Sequence, residues 1–240
     1  MLRTVYFFTR FGLHLISTLH TSYKFNKLGK EGKLEEQKTF LDESAKAWGQ
    51  YLVERTGSTI HVQGKDNIPD GPCLIISNHQ SNFDIPILAG YLDKPLGFIA
   101  KKELGKVPIM STWMKRVKCV FIDRQNPRQA IKALGEATNF LKEGHTLVIF
   151  PEGTRSKSAK MGEFKKGSLR IAEKSGVPIV PVTISGSYKI YEGNGSRVRP
   201  AEVNVIVGEP IYINQLTDEE KDQLLDNLRQ QFQHNLDALQ

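Results

Sequence analysis

A chain of 240 residues, 39% hydrophobic and 25% charged, can bury a sizeable core, which excludes a disordered or collagen-like polypeptide. Its two cysteines, Cys73 and Cys119, each lie inside an apolar run; they make neither a disulfide framework nor a zinc site and point to a reducing compartment. The formal net charge is +7, and much of the excess sits in residues 1–33, where Arg3, Arg10, Lys24, Lys27, Lys30 and Lys33 meet a single acid, Glu31. A basic terminus suits either nucleic acid or an anionic bilayer.

Residues 1–23 form an amphipathic helical pattern. At 100° per residue Val5, Phe8, Gly12, Ile16, Leu19 and Tyr23 share one arc, and Arg3, Arg10, His14, Ser17 and Thr21 the opposite one. Phe7 and Phe11 fall toward the polar side. The longest stretch free of Lys, Arg, Asp and Glu, Phe11 to Tyr23, is short of the roughly 20 apolar residues that span a bilayer. It also lacks a small-residue cleavage site, so neither a transmembrane helix nor a signal peptide is expected. Two arrangements fit the stripe: the helix lies on an anionic membrane surface, or it packs on the protein's own core. After the Gly29 to Gly32 break a second helical pattern, Leu34, Leu41, Ala45, Trp48 and Leu52, runs to Gly57. It either lies beside the first on the membrane or covers the core.

From residue 58 short apolar runs alternate with helical patterns, as in an α/β domain. The predicted strands are Thr59–Val62, Cys73–Ser77, Gly97–Ala100, Cys119–Asp123, Thr146–Phe150, Ile179–Ile184 and Val203–Val207. The predicted helices are Pro127–Lys142, Glu163–Lys174 and Asp218–Leu239. No Pro/Gly/Ser-rich linker divides the chain, so residues 1–57 form a helical segment and residues 58–240 one domain.

Polar clusters follow three predicted strands: NHQSNFD, DR and PEGTRS. In open α/β sheets ligands bind at the carboxyl edge of the strands, so these clusters are placed to share a site. His79 and Asp84 stand five apart in a strand-to-helix turn, with Asn82 as the expected N-cap and Pro86 early in the helix. A loop of that length folds the carboxylate onto one imidazole nitrogen and leaves the other as an acceptor, the orientation of a general base. Taken alone, such a pair is more often a hydrogen-bonded structural histidine. Its position in a polar run at a strand end favours chemistry.

Thr154, Arg155 and Ser156 offer a polyanion both hydroxyls and a guanidinium fork. Arg124 and the pair Lys101/Lys102 each follow a strand and add positive charge to the same edge. Any one of these is more often a solvated surface charge; their convergence favours a phosphate pocket. No G-x-S-x-G elbow is present, leaving Ser81 as a weak nucleophile candidate. No H-E-x-x-H, P-loop or G-x-G-x-x-G occurs either. The expected reaction is therefore direct attack by a substrate hydroxyl, with no metal and no cofactor.

Four segments in order, NHQSNFD, VFIDR, FPEGTRS and VPIVPV, resemble the blocks of the glycerolipid acyltransferases that carry an H-x-x-x-x-D motif, and specifically of 1-acylglycerol-3-phosphate (lysophosphatidic acid) acyltransferases. The resemblance covers most of the chain after residue 58. It implies an α/β acyltransferase-like domain, with a central mixed sheet of about seven strands flanked by helices, preceded by an amphipathic two-helix segment that docks on a membrane. It further implies that His79 is the base and Asp84 its partner, and that an acyl thioester, acyl-CoA or acyl-ACP, is attacked directly to form phosphatidic acid. Arg155 and Lys101, rather than Lys102, would hold the acceptor's phosphate, while Arg124, Glu152 and Gly153 would shape the acceptor pocket. Val177 to Val182 would be structural or line the acyl path. Lys118 stands where glycine is common in the second block, which bears on the local backbone.

The implied location is the cytoplasmic face of the cell membrane, peripheral or monotopic, with an anionic surface and lysophosphatidic acid as partners. Two rivals stay open: acylation of glycerol 3-phosphate or another lysophospholipid, and a non-catalytic membrane-binding module. Nucleic acid is disfavoured, because the basic residues share their helix with a Phe/Leu stripe.

Overall fold

The computed structural model describes residues 1–165 and 167–239. Its strands are β1 (Thr59–Gln63), β2 (Leu74–Ser77), β3 (Gly97–Lys101), β4 (Val120–Ile122), β5 (Leu147–Ile149), β6 (Ile179–Ser185) and β7 (Glu202–Val207). They form one seven-stranded sheet in the order β1-β7-β6-β2-β5-β3-β4. The expected mixed sheet is thus present, with some predicted ends one residue too long: Cys73, Cys119, Asp123, Thr146 and Phe150 flank the strands rather than belong to them.

Strands β6, β2, β5, β3 and β4 are mutually parallel, and β7 runs antiparallel to β6. The loops that follow the five parallel strands therefore open on one edge of the sheet, and those after β6, β2 and β5 are immediate neighbours.

Alternation along the strands divides the core. Ile75 of β2 and Val180, Val182 and Ile184 of β6 face one side. Leu74 and Ile76, with Ile179, Leu147 and Ile149, face the other. The second side is covered by α5 (Pro127–Lys142), α6 (Gly167–Ser175) and α7 (Asp218–Ala238), through Ala133, Ala137, Leu141, Ile171, Leu228 and Phe232. Helix α5 starts with Asn126 accepting the Gln129 N–H ahead of Pro127, and α7 with a Thr217/Glu220 capping box. The helix expected over Glu163–Lys174 starts later. Glu163 to Lys165 belong to a loop pinned to the turn after β5, where the Lys165 N–H donates to the Pro151 carbonyl at 3.0 Å, and Lys166 lies outside the described residues. Sequence periodicity did not reveal the short α4 (Met110–Arg116), which has too few turns to show a stripe.

The first side is covered by α1 (Leu2–Lys30), α2 (Leu34–Thr56) and α3 (Asp84–Tyr91). Helix α2 ends on Gly57 at φ 73°, a left-handed C-cap that glycine adopts without strain. It covers the core through Leu52 and Val53, with Trp48 packed alongside, and crosses α3 where Gly49 meets Gly90. A Cβ on Gly49 would stand 2.5 Å from the Pro86 carbonyl oxygen, so the two backbones touch.

Helix α1 faces the core with the side that looked polar. Phe7 is buried against Phe83 with ring centroids 5.4 Å apart, Phe11 packs on the core, and His14 stacks on Tyr51. Large aromatic rings outweigh the Arg and Thr beside them on that arc. The opposite apolar stripe, Val5, Phe8, Ile16, Leu19 and Tyr23, is exposed, joined by Leu2, Tyr6 and Leu13. No described helix is long and apolar enough to cross a membrane. Both cysteines are buried, and burial pushes the Cys73 thiol up to about 11 and the Cys119 thiol to about 12, so neither is a reactive thiolate.

Candidate active site

The loop after β2 carries His79 and Asp84. Asp84 is the first residue of α3 and is fully buried. Its Oδ2 accepts hydrogen bonds from the backbone N–H of Gln80 (2.7 Å) and Ser81 (2.9 Å), and its Oδ1 accepts one from the Ser187 hydroxyl (2.5 Å). The expected cap at Asn82 is therefore replaced. Phe83 occupies the N-cap without a side-chain bond, and the Asp84 carboxylate takes up the amides of the preceding turn. A negative charge is favourable there, at a helix N-terminus.

His79 Nδ1 lies 2.7 Å from Asp84 Oδ2. With that oxygen already accepting two amides, the geometry assigns Nδ1 as the donor and leaves Nε2 as the acceptor. No described residue hydrogen-bonds Nε2. The imidazole stacks flat on Phe150, centroids 3.9 Å apart and planes 14° apart, which fixes the ring in its second dimension.

The neighbouring loops hold this one in place. The Glu152 carboxylate accepts the His79 N–H at 2.7 Å through Oε1 and the Gly162 N–H at 2.7 Å through Oε2. Burial raises the Glu152 pKa above the ordinary value, outweighing these two bonds. The His79 carbonyl accepts the Ser156 N–H at 2.8 Å, and the Gln80 carbonyl accepts the Lys157 N–H at 3.1 Å. Gly153 adopts φ 68°, where glycine is favoured, and its carbonyl accepts a hydrogen bond from Arg124 Nη1.

The site residues expected from sequence thus divide. His79, Asp84, Glu152, Gly153, Arg155 and Ser156 meet where the β2 and β5 loops touch, and Arg124 joins through Gly153. Thr154 is exposed at the same turn. Lys102 instead pairs with Asp123 at 2.6 Å, which holds that carboxyl below its usual range, and Lys101 is largely exposed, 3.6 Å from Glu103. Neither lysine side chain has a described hydrogen bond or ion pair to the His79 loop. Lys118 has φ 59°, the left-handed region in which glycine is at home, and a Cβ on Gly97 would stand 2.7 Å from the Lys118 carbonyl.

Glu192, in the turn after β6, and Ser187 were not foreseen. The Glu192 carboxylate receives Ser81 Oγ (2.5 Å), the Asn82 N–H (3.0 Å) and Arg155 Nη1 (2.7 Å). It joins the β2 loop to Arg155. No spacing in the sequence ties YEGNG to NHQSN; only the pairing of β6 with β2 brings them together. Among the described residues no group of three or more His, Cys, Asp and Glu is arranged to hold a metal ion.

Comparison with known proteins adds to this geometry. A family model described as "Acyltransferase" matches residues 59–185, which contain His79, Asp84, Glu152, Arg155 and β6, while Ser187 and Glu192 lie just beyond. A chloroplastic 1-acyl-sn-glycerol-3-phosphate acyltransferase of Brassica napus is 37% identical over 171 residues, 70% of this chain and 49% of the relative. A 1-acyl-sn-glycerol-3-phosphate acyltransferase of Pseudomonas aeruginosa is 34% identical over 171 residues, 69% of this chain and 65% of the relative. The chain thus spans about half the length of the plant relative and about two thirds of the bacterial one. The crystal structure of the 1-acyl-sn-glycerophosphate (LPA) acyltransferase, PlsC, from Thermotoga maritima superposes with a TM-score of 0.88 at 30% identity, covering 99% of this chain and 95% of that one.

Proposed function

The chain belongs to the acyltransferase family, and from that premise we propose that it transfers a fatty acyl group from an acyl thioester to the sn-2 hydroxyl of 1-acyl-sn-glycerol 3-phosphate, forming phosphatidic acid. The observation that carries this reading is the buried His79/Asp84 pair, 2.7 Å apart, with no described residue hydrogen-bonded to Nε2 and Arg155 joined to the same loop through Glu192. Nε2 removes the proton of the sn-2 hydroxyl as its oxygen attacks the thioester carbonyl, and Asp84 stabilises the imidazolium. The carbon–sulfur bond then breaks, and the imidazolium returns the proton to the departing thiolate. A base so placed contributes about 10² to 10⁴ in rate. The free face of the Arg155 guanidinium suits the acceptor's phosphate, and the donor is acyl-CoA or acyl-ACP.

The exposed stripe of α1, with Lys24, Lys27, Lys30 and Lys33 following it, supports docking on an anionic membrane surface at the cytoplasmic face. Docking there would present the site to a lipid acceptor. Incubating the purified protein with labelled acyl-CoA or acyl-ACP and each acceptor separately tests the assignment. Strong preference for 1-acylglycerol 3-phosphate is expected. Preference for glycerol 3-phosphate or a phosphate-free acceptor would overturn it.

A further inference from the structure

Glu192 lies in the turn after β6, outside every motif that signals the chemistry. Its side chain is only 6% exposed, and a buried carboxylate is costly unless its oxygens are satisfied by donors. Here all three described donors come from the two loops that carry the chemistry: Ser81 and Asn82 beside His79, and Arg155 of FPEGTRS.

The turn is itself held from behind. The Arg199 N–H donates to the Ile190 carbonyl at 2.9 Å, the Val198 N–H donates to Thr4 Oγ1 on α1 at 3.0 Å, and the Tyr191 ring meets Phe8 edge-on at 5.8 Å. Glu192 is thus a fixed point. Arg155 is 31% exposed, and its described side-chain hydrogen bonds use Nη1 alone, so one arm of the fork is fixed while the rest of the guanidinium stays open to a ligand. A planar fork fixed in this way grips a phosphate with less loss of rotamer freedom than a free arginine.

We infer that Glu192 is a positioning residue: it aims the Arg155 guanidinium at the phosphate of the acceptor and sets the distance between that phosphate and the His79 imidazole. This rests on the proposed reading of Arg155 as the phosphate anchor. Because Glu192 also receives Ser81 and Asn82 beside His79, the kinetics separate its two ties: aiming Arg155 shows in the acceptor KM, whereas merely holding the His79 loop would show in kcat.

The test is steady-state kinetics of acyl transfer to 1-acylglycerol 3-phosphate by the wild type, Glu192→Gln, Glu192→Asp, Arg155→Gln and the Arg155→Gln/Glu192→Gln double variant. Losing a charge-assisted bond that orients the fork should raise the acceptor KM of Glu192→Gln about tenfold, with donor KM and kcat changed less than about threefold. Glu192→Asp, which keeps the charge on a shorter stem, should fall between, and carries the test if Glu192→Gln does not fold. With Arg155 already removed, Glu192→Gln should add no further rise.

An unchanged acceptor KM in the Glu192 variants would overturn the inference. So would a fall in kcat with KM intact, or a full Glu192 effect that persists without Arg155. If Arg155→Gln itself leaves the acceptor KM unchanged, the phosphate reading fails instead, which keeps the two failures distinct.

Discussion

Asp84 Oδ2 lies 2.7 Å from His79 Nδ1 and is at the same time the acceptor for the backbone N–H groups of Gln80 and Ser81. One oxygen thus fixes both the tautomer of the imidazole and the turn that carries it. Asp84→Asn can keep this geometry, with its carbonyl oxygen in the Oδ2 position and its amide donating to the Ser187 hydroxyl, which is free to accept. It loses the charge that stabilises the imidazolium. The expected result is a fall in kcat of about 10² to 10⁴ with little change in melting temperature. Near-normal turnover would show that the Asp84 charge does not assist the His79 imidazole in the reaction.

Glu152 gives the site a pH-dependent stability. Burial raises its carboxyl above the ordinary value of 4.5, so the folded chain holds this proton more tightly than the unfolded chain. The stability it contributes is fully present below pH 4.5 and is lost as pH rises through the raised value. Glu152→Gln removes that loss, but its amide nitrogen faces an N–H of His79 or Gly162, at a cost of about 1–3 kcal/mol. In urea melts between about pH 4 and pH 8, wild-type stability should fall more steeply with pH than that of the variant. Parallel curves would contradict the assignment.

The two faces of α1 should respond in opposite ways. Ile16→Asp with Leu19→Asp places charge on the exposed stripe and should abolish binding to anionic liposomes without lowering the melting temperature. Phe7→Ala, on the buried face, should cost about 3–5 kcal/mol of stability. Undiminished liposome binding by the Asp variant would rule out the stripe as the docking face. Point changes serve better here than deletion of residues 1–28, which would also remove Phe7 from the core.

The Gly49–Gly90 crossing joins α2 to the helix that begins with Asp84. A methyl group on Gly49 would stand 2.5 Å from the Pro86 carbonyl oxygen and 2.7 Å from the Gly90 nitrogen, both backbone atoms that cannot move aside as a side chain can. Gly49→Ala should therefore destabilise the protein by about 1–3 kcal/mol and lower activity through the displaced start of α3. An unchanged melting temperature would contradict so close a contact.

The chemistry-bearing loops were legible in the sequence because each is local. NHQSNFD, DR and FPEGTRS each follow an apolar run, and parallel strands carry such loops to one edge of a sheet. The α1 stripe was legible as a period, but not its orientation: Phe7 and Phe11 sat on the arc with arginines, and only the fit of their rings against Phe83 and the core decides which side turns inward. Asn82 was misread as a cap because the rule weighs its side chain, whereas the buried Asp84 two residues on takes up the amides of the turn. The ties made by Glu192 and Ser187 were out of reach for a different reason. They depend on β6 lying beside β2, a relationship between distant segments that no local pattern encodes. Lys118 shows the reverse, since the glycine expected there matches a φ of 59° that lysine adopts only at some strain.

The most direct test of the central claim is acyl transfer by His79→Ala, measured with labelled acyl thioester and 1-acylglycerol 3-phosphate on anionic liposomes that the variant still binds. The account predicts that turnover falls by about 10² to 10⁴ while liposome binding and melting temperature stay at wild-type values. Turnover that survives the substitution, with the protein folded and bound, would contradict it.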